Sequence, residues 1–66
     1  MTYTPKQIRL LNDATQQEYA DKMGVHVQTY RKMESHPEEM TIGQAKLFSN
    51  ISGYPMEAIN FLIKLE

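Results

Sequence analysis

The stretch from Thr15 to Glu34 most constrains this chain, because it predicts two short helices joined by a tight turn. Thr15 and Glu18 have the spacing of a capping box, in which each side chain satisfies a free backbone N–H. Gly24 stands between the two helical patterns, where a helix end favours a residue that tolerates positive φ. The residues expected on the inward face are Tyr19, Ala20, Met23, Tyr30 and Met33.

Two more capping boxes, beginning at Thr4 and Thr41, predict further helix starts before and after this pair. Pro37 prevents the third helix from continuing, and Pro55 can open a last one. The sequence therefore predicts an all-α, single-domain fold over residues 1–66. Its five expected helices are 5–12, 16–23, 27–34, 42–51 and 55–64.

The fifth predicted helix carries two apolar stripes, although a surface helix needs only one. The first stripe is Met56, Ile59, Leu62 and Ile63, and the second is Ala58, Phe61 and Leu65. Either the C-terminal helix wraps around the domain with its end tucked in, or the second stripe forms a dimer interface with another subunit. The second alternative predicts a homodimer.

Composition excludes several classes of protein. The chain has 66 residues, no cysteine and a net charge of −1. Its longest apolar run is far shorter than the roughly 20 residues that cross a membrane, and no signal-peptide pattern is present. We therefore expect a cytoplasmic protein without a membrane partner. The charge is uneven, because residues 1–37 carry five basic and four acidic side chains, whereas residues 38–66 carry two and four.

Nothing in the sequence favours an enzyme. There is no cysteine nucleophile, and the adjacent carboxylates Glu38 and Glu39 stand in a polar loop. His26 and His36 are not at metal-ligand spacing, so neither a metal site nor a cofactor is expected.

The sequence resembles the phage-repressor and Cro type of helix-turn-helix domain, the XRE-like family, over about residues 5 to 60. The matching residues are Ile8-Arg9, Thr15 to Ala20, Lys22 to Val25, Thr29-Tyr30 and Met33-Glu34. The resemblance implies a compact five-helix lambda-repressor-like domain. It also implies double-stranded DNA as the partner, with the helix at 27–34 in the major groove and operator half-sites bound by a dimer.

The resemblance also implies which residues contact DNA. The set is Arg9, Gln16, Gln17, Val27, Gln28, Thr29, Arg31, Lys32 and Gly43. Gln28 is suited to pair with adenine, and Val27 to meet a thymine methyl group. Arg31 and Lys32 can reach a guanine edge or a phosphate, whereas Gln16 can bond a phosphate or brace a base-reading side chain.

Two features have alternative interpretations. Arg9 and Glu34 match a pair that bridges two helices in the family, but an exposed ion pair contributes less than about 1 kcal/mol. The helix start at Thr41 to Gly43 is either a second phosphate seat or an ordinary capped helix start.

The predicted function is a sequence-specific DNA-binding transcriptional regulator, repressor-like or Cro-like, from a phage, a prophage or a mobile element. Glu38 and Glu39 weaken this prediction, since carboxylates beside phosphates lower affinity. The alternative is a protein-interaction module on the same fold, such as an antirepressor or corepressor that binds another repressor.

Overall fold

The computed structural model describes residues 1–62, which form four α-helices and two short 3₁₀ turns. The helices are α1 (Pro5–Leu11), α2 (Gln16–Met23), α3 (Val27–Ser35) and α4 (Ile42–Ser52). The 3₁₀ turns are Pro37–Glu39 and Met56–Ala58. None of the helices in this part of the chain is both long and apolar enough to cross a membrane.

Three of the four helices begin at a threonine capping box. The hydroxyls of Thr4, Thr15 and Thr41 accept hydrogen bonds from backbone N–H groups three residues later. In each case the glutamine or glutamate side chain at that later position accepts the N–H of the threonine in return. These helix starts are thus determined by contacts within four residues of sequence.

The turn between α2 and α3 depends on the left-handed conformation of Gly24. Its φ is 71°, a value that costs little for glycine and strains other residues. In this geometry the N–H of Gly24 bonds the carbonyls of Ala20 and Asp21, and the N–H of Val25 also bonds Ala20. The last turn of α2 is therefore closed, and the chain is redirected into α3.

All four helices and the C-terminal segment contribute to one core. The buried hydrophobic residues are Ile8, Tyr19, Ala20, Met23, Tyr30, Met33, Ala45, Phe48, Ile59 and Phe61. Tyr19 is in the middle of an aromatic group, with its ring centroid 6.0 Å from that of Tyr30 and 5.7 Å from that of Phe48. The Asn12 amide ties this group to the periphery, because it donates to the Tyr19 hydroxyl (2.8 Å) and the Ser52 carbonyl (3.0 Å).

The predicted fifth helix at 55–64 is wrong over its described part. Only the 3₁₀ turn Met56–Ala58 forms, after which the backbone runs extended and pairs with Tyr3. The N–H of Tyr3 bonds the Ala58 carbonyl (3.0 Å), and the N–H of Asn60 bonds the Tyr3 carbonyl (2.7 Å). Ile59 and Phe61 are consequently buried on one side, as the two-residue repeat of extended chain requires.

Tyr19 and Tyr30 allow a matched test of two buried hydroxyls. The Tyr19 hydroxyl has a partner in Asn12, whereas that of Tyr30 makes no hydrogen bond of good geometry within residues 1–62. We expect Tyr19→Phe to lower the free energy of unfolding by about 1 kcal/mol. Tyr30→Phe should leave it unchanged or raise it, because no bond is lost. Urea denaturation measures both, and equal losses would mean that Tyr30 donates to Glu34 in solution.

Candidate nucleic-acid interface

A buried ion pair joins α1 to the end of α3. The Nε of Arg9 is 2.6 Å from Oε2 of Glu34, and its Nη2 is 3.3 Å from Oε1. Only 9 % of the Arg9 side chain and 3 % of the Glu34 side chain are exposed. Arg9 also donates from Nη1 to the Ala14 carbonyl at 2.8 Å. The bridge interpretation of this pair therefore holds, whereas the exposed-pair interpretation does not.

The surroundings of Glu34 keep it ionised. Burial raises the pKa of its carboxyl, but hydrogen bonds to Arg9 and Gln16 and the nearby Tyr30 hydroxyl outweigh burial, so the pKa lies below its ordinary value of 4.5. The same hydrogen bond has the opposite effect on its donor, because it raises the pKa of Arg9. Burial, followed by the negative charge of Glu34, raises the pKa of Tyr30.

Gln16 connects this buried pair to the surface. Its Nε2 donates to Oε1 of Glu34 at 3.1 Å, and its Oε1 accepts from Nε of Arg31, also at 3.1 Å. Gln16 is the first residue of α2, and Arg31 is on the exposed side of α3. The first turn of α2 and the middle of α3 are thus held together by side chains.

The other expected contact residues divide into exposed and partly buried groups. Gln17, Gln28, Thr29, Arg31 and Lys32 are exposed, and Val27 is half-buried. Four of these five exposed side chains belong to α3, so α3 presents a continuous polar and basic surface. Gln17 differs, because its amide donates to Asp21 on its own helix at 2.8 Å.

The start of α3 is capped by a histidine. Nδ1 of His26 accepts the backbone N–H of Gln28 at 3.1 Å, which is the role that a serine or threonine usually fills. This cap requires Nδ1 to be unprotonated, because an imidazolium nitrogen has no lone pair to accept with.

Gly43 is exposed in the first turn of α4, beside the Thr41 cap. A Cβ added there would meet only the Thr41 hydroxyl, at 3.9 Å. Packing within this part of the chain therefore does not require glycine at position 43, which leaves room for a ligand to approach the helix start.

Glu38 and Glu39 line different grooves. Glu39 lines a groove together with Thr29 and Lys32 on α3, whereas Glu38 lines an apolar groove with Ile42 and other residues. Of the two residues, Glu39 therefore lines the groove beside α3, and the Glu38 carboxylate lies close to it. The ligand atoms of Glu38, Glu39 and His36 lie within 4.8 Å of one another, but all three residues are exposed, and exposed acidic groups commonly cluster without an ion.

Lys6 is a candidate contact residue that the sequence analysis missed. It lines a groove with Gln16, Glu34 and Arg31, so it lies beside one of the exposed cations of α3. The sequence could have indicated this position, because Lys6 is three residues before Arg9 and therefore lies on the same face of α1.

Two of the three expected dimer residues, Ala58 and Phe61, lie in the part of the chain that the structure describes. Phe61 is buried in the core of its own chain, which explains its apolar character without a partner. Ala58 is half-buried, and Leu65 lies outside the described residues.

Removing one member of the buried pair should be costly. We expect Arg9→Met to lower the free energy of unfolding by about 3–5 kcal/mol, because a buried carboxylate is left uncompensated. The double variant Arg9→Met/Glu34→Met should lose less than the single one. Urea denaturation at pH 7 tests this. A loss below about 1 kcal/mol for Arg9→Met would mean that the pair behaves as a solvent-exposed ion pair.

The pair should also make stability depend on pH. Since the pKa of Glu34 is lower in the folded chain, its contribution is complete above 4.5 and is lost as the pH falls through the folded-state pKa. We expect this acid loss to be absent from the Arg9→Met/Glu34→Met variant and present in the control Glu18→Gln. The control removes another carboxyl of lowered pKa, which is held by the Thr15 backbone. Thermal unfolding measured across acidic pH tests this. If Glu18→Gln also lacks the acid loss of stability, that loss does not come from Glu34 alone.

Comparison with known proteins agrees with this geometry. The sequence profile of a family described as helix-turn-helix matches residues 6–57. Searches of curated proteins and of solved structures gave no significant match. The match runs from the second residue of α1 through α4 into the second 3₁₀ turn, and it includes the glycine turn and the buried pair. The chain therefore belongs to the XRE-type helix-turn-helix family of DNA-binding regulators.

Proposed function

We propose that this protein is a sequence-specific transcriptional regulator that reads the major groove with α3. The observation that carries the proposal is the rigid attachment of α3, whose outer face bears Gln28, Thr29, Arg31 and Lys32. The buried pair of Arg9 and Glu34 holds its C-terminal end, and the Gly24 turn sets its direction. A base-reading helix needs such a fixed position, because hydrogen bonds to base edges tolerate little displacement.

Phosphate contacts are proposed at two helix starts. The first turn of α2 presents the backbone N–H groups of Gln16 and Gln17 and a positive dipole end, whereas the Gln16 side chain is bonded to Glu34 and Arg31. Gly43 offers close approach at the start of α4. Lys6 and Lys32 add positive charge, whereas Glu39 opposes it. The local excess of positive charge is small, so we expect a modest affinity for a single domain.

We further propose that the protein is a repressor-like or Cro-like regulator of a phage, a prophage or a mobile element. Two copies would then bind the two half-sites of an operator. Ile42 supports a dimer, because 75 % of its surface is exposed beside a groove whose walls include Met56 and Phe61. Ala58 and the covered Phe61 belong to the same region of the chain, so a partner there would extend the core.

The second candidate function is a protein-interaction module that binds another repressor. The exposed Ile42 and the adjacent Glu38 favour it, because an apolar groove with an acidic rim suits a protein partner better than DNA.

Binding to DNA at two salt concentrations separates these functions. A random duplex library selected on the protein supplies the preferred site, and a scrambled duplex is the control. We expect sequence-dependent binding that weakens as salt increases, because phosphate contacts release counterions. Absent or salt-insensitive binding would contradict a DNA regulator and favour the interaction module.

Two α3 variants refine this test. Gln28→Ala should relax preference at one base position, because a bidentate contact to adenine is lost. Lys32→Ala should weaken all sequences alike and reduce the salt slope by about 1, as expected for a phosphate contact. An unchanged base preference in Gln28→Ala would remove Gln28 from the readout.

The proposed dimer is tested by sedimentation equilibrium without DNA. We expect Met56→Glu, which places a charge beside the Ile42 groove, to shift the protein toward monomer while leaving its helical circular dichroism unchanged. Leu10→Glu is the matched control, since Leu10 is an exposed leucine on α1 that does not line this groove. A Met56→Glu protein with an unchanged monomer–dimer distribution would rule out this groove.

A further inference from the structure

We propose that Arg31 reads a guanine and that Gln16 is the positioning residue that aims it, as the outer end of a hydrogen-bond chain from the buried pair. This inference rests on the proposed function and adds the base that one side chain selects. The chain runs from Arg9 through Glu34 and Gln16 to Arg31, with distances of 2.6, 3.1 and 3.1 Å.

The chemistry of the chain permits only one orientation of the Gln16 amide. Glu34 is ionised and can only accept hydrogen bonds, so Gln16 must turn its NH₂ group inward. Its carbonyl oxygen consequently points outward, where only a donor can satisfy it. Arg31 supplies that donor with its Nε–H. The direction of every bond in the chain therefore follows from the buried carboxylate.

The position of Arg31 leaves its charge and its outer N–H groups available. Arg9 already neutralises Glu34, and Gln16 is neutral, so Arg31 keeps its full positive charge. With Nε directed at Gln16, the two Nη groups make no hydrogen bond within residues 1–62 and stand on the exposed end of the guanidinium. A pair of parallel N–H donors fits the O6 and N7 acceptors of guanine in the major groove.

A fixed orientation is of more use for base recognition than for phosphate binding. A phosphate attracts a cation from many directions, whereas a base edge demands that both donors lie in its plane. Lys6, in the same groove, can provide a phosphate charge without any such bracing. The hydrogen-bond chain across three helices, which fixes the orientation of Arg31, therefore favours a base contact for Arg31 over a phosphate contact.

The test uses Arg31→Lys and Gln16→Met on the full chain. Both should lower the preference for a single G·C pair by about tenfold or more, the scale of one bidentate contact. Lysine retains the charge without the planar fork, and methionine retains the length of glutamine without its hydrogen bonds. The double variant should lose no more than Arg31→Lys alone, because Gln16 acts through Arg31.

A control and a second readout distinguish positioning from a general loss of structure. Asn50→Met, on the exposed part of α4, should leave the base preference unchanged. In the free protein, ¹⁵N relaxation should show the Arg31 Nε–H ordered in the parent chain and mobile in Gln16→Met. An Nε–H equally mobile in both would overturn the positioning role without any use of DNA.

Other outcomes are equally decisive. If Gln16→Met weakens all sequences alike and reduces the salt slope, Gln16 is a phosphate contact and the inference is wrong. If the two variants have additive effects, they act at separate sites. Failure of the parent chain to prefer any sequence would instead contradict the proposed function, and the relaxation measurement would still decide the role of Gln16.

Discussion

The ion pair between Arg9 and Glu34 is the contact on which the arrangement of the helices depends. It joins two residues that are 25 positions apart. In addition, Nη1 of Arg9 donates to the Ala14 carbonyl, and Oε1 of Glu34 accepts from the Gln16 amide. One buried pair therefore relates α1, α2 and α3 to one another. Such a pair is weak evidence for net stability, since desolvation offsets much of the attraction. We infer that its main effect is to specify a single arrangement of α3.

That specification matters because the core is small. A chain of 66 residues buries a modest share of its surface, so packing alone leaves some freedom between helices. Directional bonds at the edges of the core remove this freedom. Asn12 connects α1, α2 and the end of α4, and the Gly24 turn closes α2 onto α3. These bonds surround the buried aromatic group and position the exposed face of α3 relative to the rest of the domain.

Local sequence signals predicted the helical part of the fold and most of the candidate interface. The capping boxes at Thr4, Thr15 and Thr41 act over three residues, so they are readable without tertiary information. The prediction of a fifth helix was wrong because a long-range contact decides the structure of that segment. Met56 and Ile59 have helical spacing, but Ile59 and Phe61 also have strand spacing, and pairing with Tyr3 favoured the second. Leu62 then adopts a φ of 58°, which no α-helix allows.

By itself, the sequence determined where the four helices begin, where α2 turns into α3, and which residues α3 exposes. Each of these follows from interactions within one or two helical turns. Only the tertiary structure decided that Phe61 belongs to the core, that Glu38 and Glu39 line different grooves, and that Gln16 contacts both Glu34 and Arg31. The two contacts of Gln16 span 15 and 18 positions, and the pairing of Tyr3 with Ile59 that precedes Phe61 spans 56. The competition among such long-range contacts is settled by packing and by the direction of hydrogen bonds.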